Sequence, residues 1–284
     1  MAKTKGLRDR KRWLGFKPNK RLGQHFITDK GVIDQIIGKA RFPHSCSVLE
    51  IGPGFGALTI PLSSCVKHVV AIEKDPYLAS ILEEKLVTAG SGNVKVLNDD
   101  ILKLDLNKIS EMVDGPIHVI GNLPYNISSP LLERLIFYRN VIQKAVLMFQ
   151  AEFGNRLVAV PGTKSYGAIT VLMQYYTQIT PLLHISKEFF HPKPKIDSVV
   201  LSFDMEKSHP RKADDEPIFK MVVKGAFAQR RKTILNSLKG ALLHYSADKI
   251  SASLQRCSID AGLRAETLGI DDFICLASML GRDE

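Results

Sequence analysis

Between about residue 45 and residue 205, short apolar runs alternate with segments of helical spacing, and this alternation restricts the fold more than any other feature of the chain. The runs at 47–51, 69–72, 94–97, 117–120 and 145–149 each have the length of one buried strand. Segments between them, such as 76–89 and 130–138, repeat apolar residues at the three-to-four spacing of one helix face. Strands joined by helices return to the same edge and pair in parallel, with helices on both faces of the sheet. The expected class is therefore α/β with a mainly parallel sheet. Two later runs, 174–185 and 198–205, are richer in β-formers and have no long helix between them. They predict an antiparallel, hairpin-type closing addition.

The pattern changes at 206–217, a polar stretch with two prolines that reads as a linker. Beyond it, Phe219, Val223 and Phe227, then Ile234, Leu238 and Leu242, fall at helical spacing. Ile250 with Leu254, and Phe273 with Leu276 and Leu280, predict two further helices. The expected organisation is a basic tail at 1–21, an α/β domain at 22–207 and a small all-α domain at 208–284.

With 45% hydrophobic and 24% charged residues, the chain reads as globular. No apolar run approaches the roughly 20 residues that a membrane span needs, and the first residues lack the apolar core of a secretory signal. The formal net charge is +10, and it is unevenly spread. Residues 1–21, ending in Lys20 and Arg21, carry nine basic side chains against one acid. Such a block binds polyanions by releasing condensed counterions; from charge alone it reads equally as a solvated tail. The four cysteines, Cys46, Cys65, Cys257 and Cys275, are far apart and form no C-x-x-C. We therefore expect reduced thiols, a cytoplasmic location and no zinc site. The scattered histidines form no H-E-x-x-H, so no metal is expected.

The first run leads into Gly52-Pro-Gly54-Phe-Gly56, which opens onto a helix. Glycine is needed where a chain turns tightly and where a ligand approaches the main chain, and the free amides of the helix start favour an anionic group. The spacing is G-x-G-x-G, not the dinucleotide G-x-G-x-x-G. Glu73 ends the second run, 21 residues after Gly52, where a carboxylate can accept both hydroxyls of a ribose. Asp100 follows the third run, where an acid can accept from an adenine amino group. Each acid alone would pass for a helix cap or a turn residue. Together with the loop they describe an adenosine site at the carboxyl edge of the sheet, compatible with S-adenosylmethionine or NAD.

The fourth run ends in Gly121-Asn122-Leu123-Pro124-Tyr125. Asn122 offers a side-chain carbonyl acceptor and Leu123 a backbone one; Pro124 stiffens the chain and has no N–H; Tyr125 supplies a ring face. The set suits an amino group on a flat aromatic ring. The N6 lone pair of adenine is delocalised into its ring. Two acceptors on the N6 hydrogens would localise that pair and aim it at an incoming methyl, while the base stacks on the aromatic face.

At this point the chain resembles the rRNA adenine N6-dimethyltransferases, over nearly its whole length. The resemblance rests on Lys20-Arg-Leu-Gly-Gln24-His25-Phe26, residues 50–56, Glu73, Asp100 and Asn122-Leu-Pro-Tyr125. It also rests on residues 150–157, the run Phe190-His-Pro-Lys-Pro194-Lys195-Ile-Asp197-Ser198 and the run Gln229-Arg-Arg-Lys-Thr233-Ile-Leu-Asn236-Ser237-Leu238. The last two favour the small-subunit members of the family over large-subunit relatives. The resemblance implies a class I, Rossmann-like methyltransferase fold with a seven-stranded sheet and a helical C-terminal domain. It implies S-adenosylmethionine as cofactor, held by His25, Ile27, Gly52, Gly54, Gly56, Glu73, Asp100 and Asn122. It implies a target adenine among Asn122, Leu123, Pro124, Tyr125 and Phe190, with Phe190 facing Tyr125. The implied substrate is two adjacent adenines near the 3′ end of small-subunit rRNA, each dimethylated on an assembling small subunit by a monomeric enzyme. Ala151 departs from the family, where a lysine is common, and removes one expected phosphate contact.

Arg230, Arg231 and Lys232 cannot all share one helix face, so part of the cluster must be displayed; with Lys20 and Arg21 they are the expected rRNA contacts. The rivals are a large-subunit rRNA or DNA adenine methylase, a non-catalytic assembly or transcription factor on the same fold, and an NAD-dependent dehydrogenase. An inactive factor would be expected to carry damaged pocket residues, and a dehydrogenase would need a hydride-transfer site that the sequence does not offer.

Overall fold

The computed structural model describes residues 18–19, 22–124 and 127–282; Lys20, Arg21 and Tyr125 lie outside the described residues. The chain divides into two compact units. One comprises the chain up to Gly154 together with Pro181–Phe203, the other Asn155–Thr180 together with the chain from Asp204 onward.

In chain order the elements are β1 (Phe26–Ile27), α1 (Lys30–Ala40), β2 (Ser47–Ile51), α2 (Thr59–Ser63), β3 (His68–Glu73), α3 (Pro76–Ala89), β4 (Val94–Asn98), α4 (Leu106–Met112), β5 (Ile117–Asn122), α5 (Ser128–Phe137) and β6 (Ile142–Gln150). They continue with α6 (Ala151–Leu157), α7 (Ala168–Tyr176), β7 (Gln178–Ile185), β8 (Phe190–His191), β9 (Ser198–Asp204), α8 (Glu216–Ala226), α9 (Ile234–Ala241), α10 (Ala247–Arg256) and α11 (Ile270–Gly281). Seven strands form one sheet in the order β4-β3-β2-β5-β6-β9-β7. The pairs β2/β3, β3/β4, β2/β5 and β5/β6 are parallel. This is the expected α/β class. The chain lays β2, β3 and β4 outward on one side, then returns to place β5 and β6 on the other. The direction therefore reverses between β2 and β5, where open α/β sheets bind ligands at their carboxyl edge.

Local chemistry explains the elements that frame that edge. All five residues of β2 are buried, as a central parallel strand requires. Helix α3 starts on Asp75, whose carboxylate accepts the Tyr77 amide, and has Pro76 at its first position; Gly90 ends it in the left-handed region at φ 67°. Leu78, Ala79, Leu82 and Leu86 form its buried face.

Several details correct the linear reading. The run at 174–185 is not one strand: residues 174–176 finish α7, and β7 begins at Gln178. Tyr175 and Tyr176 resemble strand formers but are buried helix residues, with the Tyr175 ring 4.2 Å from that of Phe219. The linker ends earlier than its prolines imply, because Pro217 lies in the first turn of α8, which Asp215 caps. Within the second unit, α8 packs against α7, α9 and α11, and α10 against α9 and α11. The thiols also differ from expectation. Cys257, the C-cap of α10, is disulfide-bonded to Cys275 of α11, while Cys46 and Cys65 are free. The two helices bring the Cα atoms to 5.8 Å, a closeness that spacing along the chain does not reveal.

Candidate cofactor and active site

A pocket at the carboxyl edge is lined by Glu50, Gly52 and Gly54 from β2 and its loop, Glu73 and Lys74 after β3, Asp99 and Asp100 after β4, and Asn122 to Pro124 after β5. Residues 22–27 close it from the N-terminal side. The structure thus brings together His25, Ile27, Gly52, Gly54, Glu73, Asp100, Asn122, Leu123 and Pro124 of the expected set. Gly56 belongs to the same loop, but its added Cβ would meet Leu82 of α3, so its part is to pack the loop on that helix.

The loop needs its glycines for different reasons. Gly52, at φ 67°, has nothing nearer a built Cβ than the Asn122 carbonyl at 3.8 Å, so backbone conformation alone selects glycine and the space beside it stays open. At Gly54, a Cβ would come within 2.8 Å of the Phe26 ring. The N-terminal segment therefore lies directly on the loop. Lys85 holds the loop from α3, donating to the Phe55 carbonyl at 3.1 Å with its ammonium over the Phe55 ring.

Glu73 is 6% exposed, and each carboxylate oxygen accepts a backbone amide: Oε1 from Asp75 at 2.9 Å and Oε2 from Gly54 at 3.0 Å. Burial raises its pKa, against the pull of those amides. The strand end is set by Asn98, whose side chain donates to the Glu73 carbonyl at 2.8 Å. Asp100 is already engaged. Its Oδ2 accepts from Lys74 Nζ at 2.8 Å and its Oδ1 from the Leu102 amide at 3.0 Å. Burial pushes this carboxyl up, but Lys74, the Leu102 amide and the Lys103 charge outweigh it and hold it below the usual range. Any further donor at this carboxylate shares it with Lys74.

The N-terminal segment is anchored at three points. Gln24 Nε2 donates to Asp75 Oδ2 at 3.0 Å, while its Oε1 accepts the Asn19 amide at 2.7 Å. The His25 ring Nδ1 lies 2.7 Å from the Pro192 carbonyl, which only accepts, so that nitrogen carries the hydrogen. Asn122 Nδ2 donates to the His25 backbone carbonyl at 2.7 Å. Strand β1 also pairs antiparallel with β8, setting Ile27 opposite Phe190. At the other end of this arrangement the Leu123 amide donates to the Met148 carbonyl, and the Ala151 amide to that of Asp197.

The structure places the remaining expected site residues as follows. Phe190 is 4% exposed and packed in a core cluster with Ile27 and Met148, away from the pocket wall. An aromatic ring between β1 and the sheet is more stable covered than displayed. Arg230, Arg231 and Lys232 sit in the turn between α8 and α9, not on a helix. Arg230, with its side chain 52% exposed, is nevertheless engaged within its unit, donating to the carbonyls of Lys164 at 2.6 Å and Tyr166 at 3.3 Å and pairing with Glu266 at 3.5 Å. Arg231 and Lys232 are exposed. Gln24 and Glu50 are among the pocket residues that the reading of the sequence did not assign to the site. Gln24 carried no signal beyond its place in a motif. Glu50 did carry one, a lone acid inside an otherwise apolar buried run.

A family model described as ribosomal RNA adenine dimethylase matches residues 15–280. The chain belongs to this family. Among relatives of this dimethylase, the ribosomal RNA small subunit methyltransferase A of Geobacter sulfurreducens is 42% identical over 268 residues, 94% of this chain and 96% of the relative. The protein of the same name from a Geobacillus species is 39% identical over 271 residues, 94% and 92% of the two chains. A crystal structure of a dimethyladenosine transferase from Plasmodium falciparum matches with a TM-score of 0.74 and 28% identity, over 88% of this chain and 95% of that one. The 23S rRNA methyltransferase ErmE matches with a TM-score of 0.68 and 25% identity, over 90% and 100%. This dimethylase is therefore a methyltransferase on a Rossmann-like α/β fold, and its cofactor is S-adenosylmethionine. The pocket's chemistry fits a cation: among the described residues its lining carries the carboxyl groups of Glu50, Glu73, Asp99 and Asp100 against the one ammonium of Lys74.

Proposed function

We propose that this enzyme dimethylates N6 of two adjacent adenines near the 3′ end of small-subunit rRNA, on an assembling small ribosomal subunit. It acts in the cytoplasm as a monomer, without a metal ion. Among the described residues no helix is long and apolar enough to cross a membrane. The relatives named as small-subunit methyltransferases support the choice of substrate. The observation that carries the chemistry is the clamp on Asn122. With Nδ2 committed to the His25 carbonyl, Oδ1 is the end of the amide presented to a target amino group.

S-adenosylmethionine supplies a sulfonium-bound methyl, whose transfer turns the sulfonium into a neutral thioether. The protein's part is positioning. Glu73 is placed for the ribose hydroxyls, and Asp100 for the adenine amino group. Asn122 Oδ1 and the Leu123 carbonyl accept the N6 hydrogens of the target, turning its lone pair toward the methyl. Pro124 stiffens the acceptor pair and Tyr125 stacks on the base. The N6 proton leaves to solvent after transfer, so no strong base is needed. Phe190 acts from beneath, through its pairing with Ile27. Exposed Arg231 and Lys232, with Lys20 and Arg21, contact rRNA phosphates; Arg230 mainly holds their turn in shape.

The test is transfer of radiolabelled methyl groups to undermethylated small subunits, followed by mapping of the modified base. Labelled dimethyladenine at two neighbouring positions near the 3′ end is expected. Label on large-subunit rRNA alone would overturn the assignment.

A further inference from the structure

Glu50 has no part in the chemistry above. It lies in β2, opposite Ala71 of β3 and Ile120 of β5, so its strand neighbours are apolar. Its side chain is 1% exposed and nevertheless contributes to the pocket lining. Its Oε2 has no hydrogen-bond partner among the described residues. A buried polar atom without a partner is costly, and a buried unpaired charge far more so. Two groups act on it: the Thr59 hydroxyl from α2 and the Glu73 carboxylate from β3. The remaining ionisable residues of the lining are His25 from the N-terminal segment, Lys74 after β3, and Asp99 and Asp100 after β4. Burial pushes the Glu50 carboxyl up from 4.5 to about 8; Thr59 opposes the rise and the Glu73 charge adds to it. In the cofactor-free enzyme at neutral pH it is a neutral acid.

We propose that Glu50 is a proton-linked receptor for the positive charge of the cofactor: it is neutral in the free enzyme and releases its proton as the cation enters. A fixed carboxylate here would leave an uncompensated buried charge whenever the pocket holds no cation. A carboxylic acid avoids that state and yields a counter-charge when one is needed. Cofactor affinity then rises with pH up to the range where Glu50 ionises unaided. The proposal rests on assigning this pocket to the cofactor.

The experiment is titration calorimetry of S-adenosylmethionine into the full-length enzyme at pH 7, in buffers of different ionisation enthalpy. The dependence of the observed heat on the buffer counts the protons exchanged. Wild type is expected to release close to one proton, and its affinity to rise by up to roughly tenfold per pH unit between pH 6 and pH 7.5. Glu50→Gln keeps the shape of the neutral acid, so its proton count is expected near zero and its affinity flat over that range. No proton release by wild type, or undiminished release by Glu50→Gln, would overturn the proposal; the wild-type count does not depend on any variant folding. Glu73→Ala tests the pocket assignment separately. Binding at wild-type affinity in that variant would reject the pocket, whereas weakened Glu73→Ala binding without wild-type proton release would reject Glu50 alone.

Discussion

The side chain of Asn122 donates from Nδ2 to the backbone carbonyl of His25, 2.7 Å away. This bond joins the end of β5 to a segment 97 residues earlier in the chain and commits the Nδ2 end of the amide to that segment. Asn122→Ala removes the acceptor and the clamp together. We expect methyl transfer to slow by roughly 100- to 1000-fold, the usual effect of losing one preorganised polar contact, with cofactor affinity changed by less than about fivefold. Single-turnover rates and calorimetry on the same preparation separate the two; an unimpaired rate would refute the role.

Gln24 bridges Asn19 and Asp75, and the Asp75 amide in turn holds Glu73. The Gln24→Ala variant is expected to loosen residues 22–27 over the pocket and weaken cofactor binding by about 1.5–3 kcal/mol, the scale of a hydrogen bond to a charged group. Faster amide exchange in that segment should accompany the loss. Unchanged exchange with unchanged affinity would mean the bridge holds nothing shut.

On the proposed assignment, the basic turn after α8 is expected to divide its labour. Charge reversal at Arg231 and Lys232 is expected to flatten the plot of log affinity against log salt for small-subunit binding, by about 0.7–0.9 per lost phosphate contact. Arg230→Ala instead leaves carbonyls without their donor, so it is expected to lower stability by about 1–3 kcal/mol and to change the salt slope less. Equal effects of the two substitutions on the slope would contradict the division.

Glu50 also links stability to pH. Its folded pKa, about 8, lies above the ordinary 4.5, so between those values the folded chain holds a proton that the unfolded chain has lost. Stability from this group is complete below pH 4.5, falls as pH rises toward 8, and levels off above. Urea unfolding without cofactor is expected to show wild type and Glu50→Gln alike near pH 4.5, with wild type falling progressively below the variant as pH rises toward 8. Parallel curves across that window would place the ionisation elsewhere.

Much of the fold was legible because burial imposes its period directly on the chain. Residues 47–51 and 117–120 read as buried strands, and the buried face of α3 repeats at the spacing of a helix. The loop glycines, Glu73, Asp100 and Asn122 were legible for a related reason. A parallel sheet delivers every strand end to one edge, so strand-ending residues far apart in sequence share a site. Phe190 was legible only as part of a motif. Its burial depends on β8 pairing with β1, across more than 160 residues.

By itself, then, the sequence determined the strand-helix alternation and the residues set along one edge of the sheet, since both follow from local periodicity and turn chemistry; the strand order, with its switch of direction beside β2, came from the fold. Tertiary structure decided which of those groups are already engaged. It paired Asp100 with Lys74, engaged Arg230 with the Lys164 carbonyl, bonded Cys257 to Cys275 and left Glu50 buried without a partner for one oxygen among the described residues. Hydrogen bonds, ion pairs and desolvation depend on distances of a few ångströms between segments remote in the chain, and only the folded backbone sets those distances.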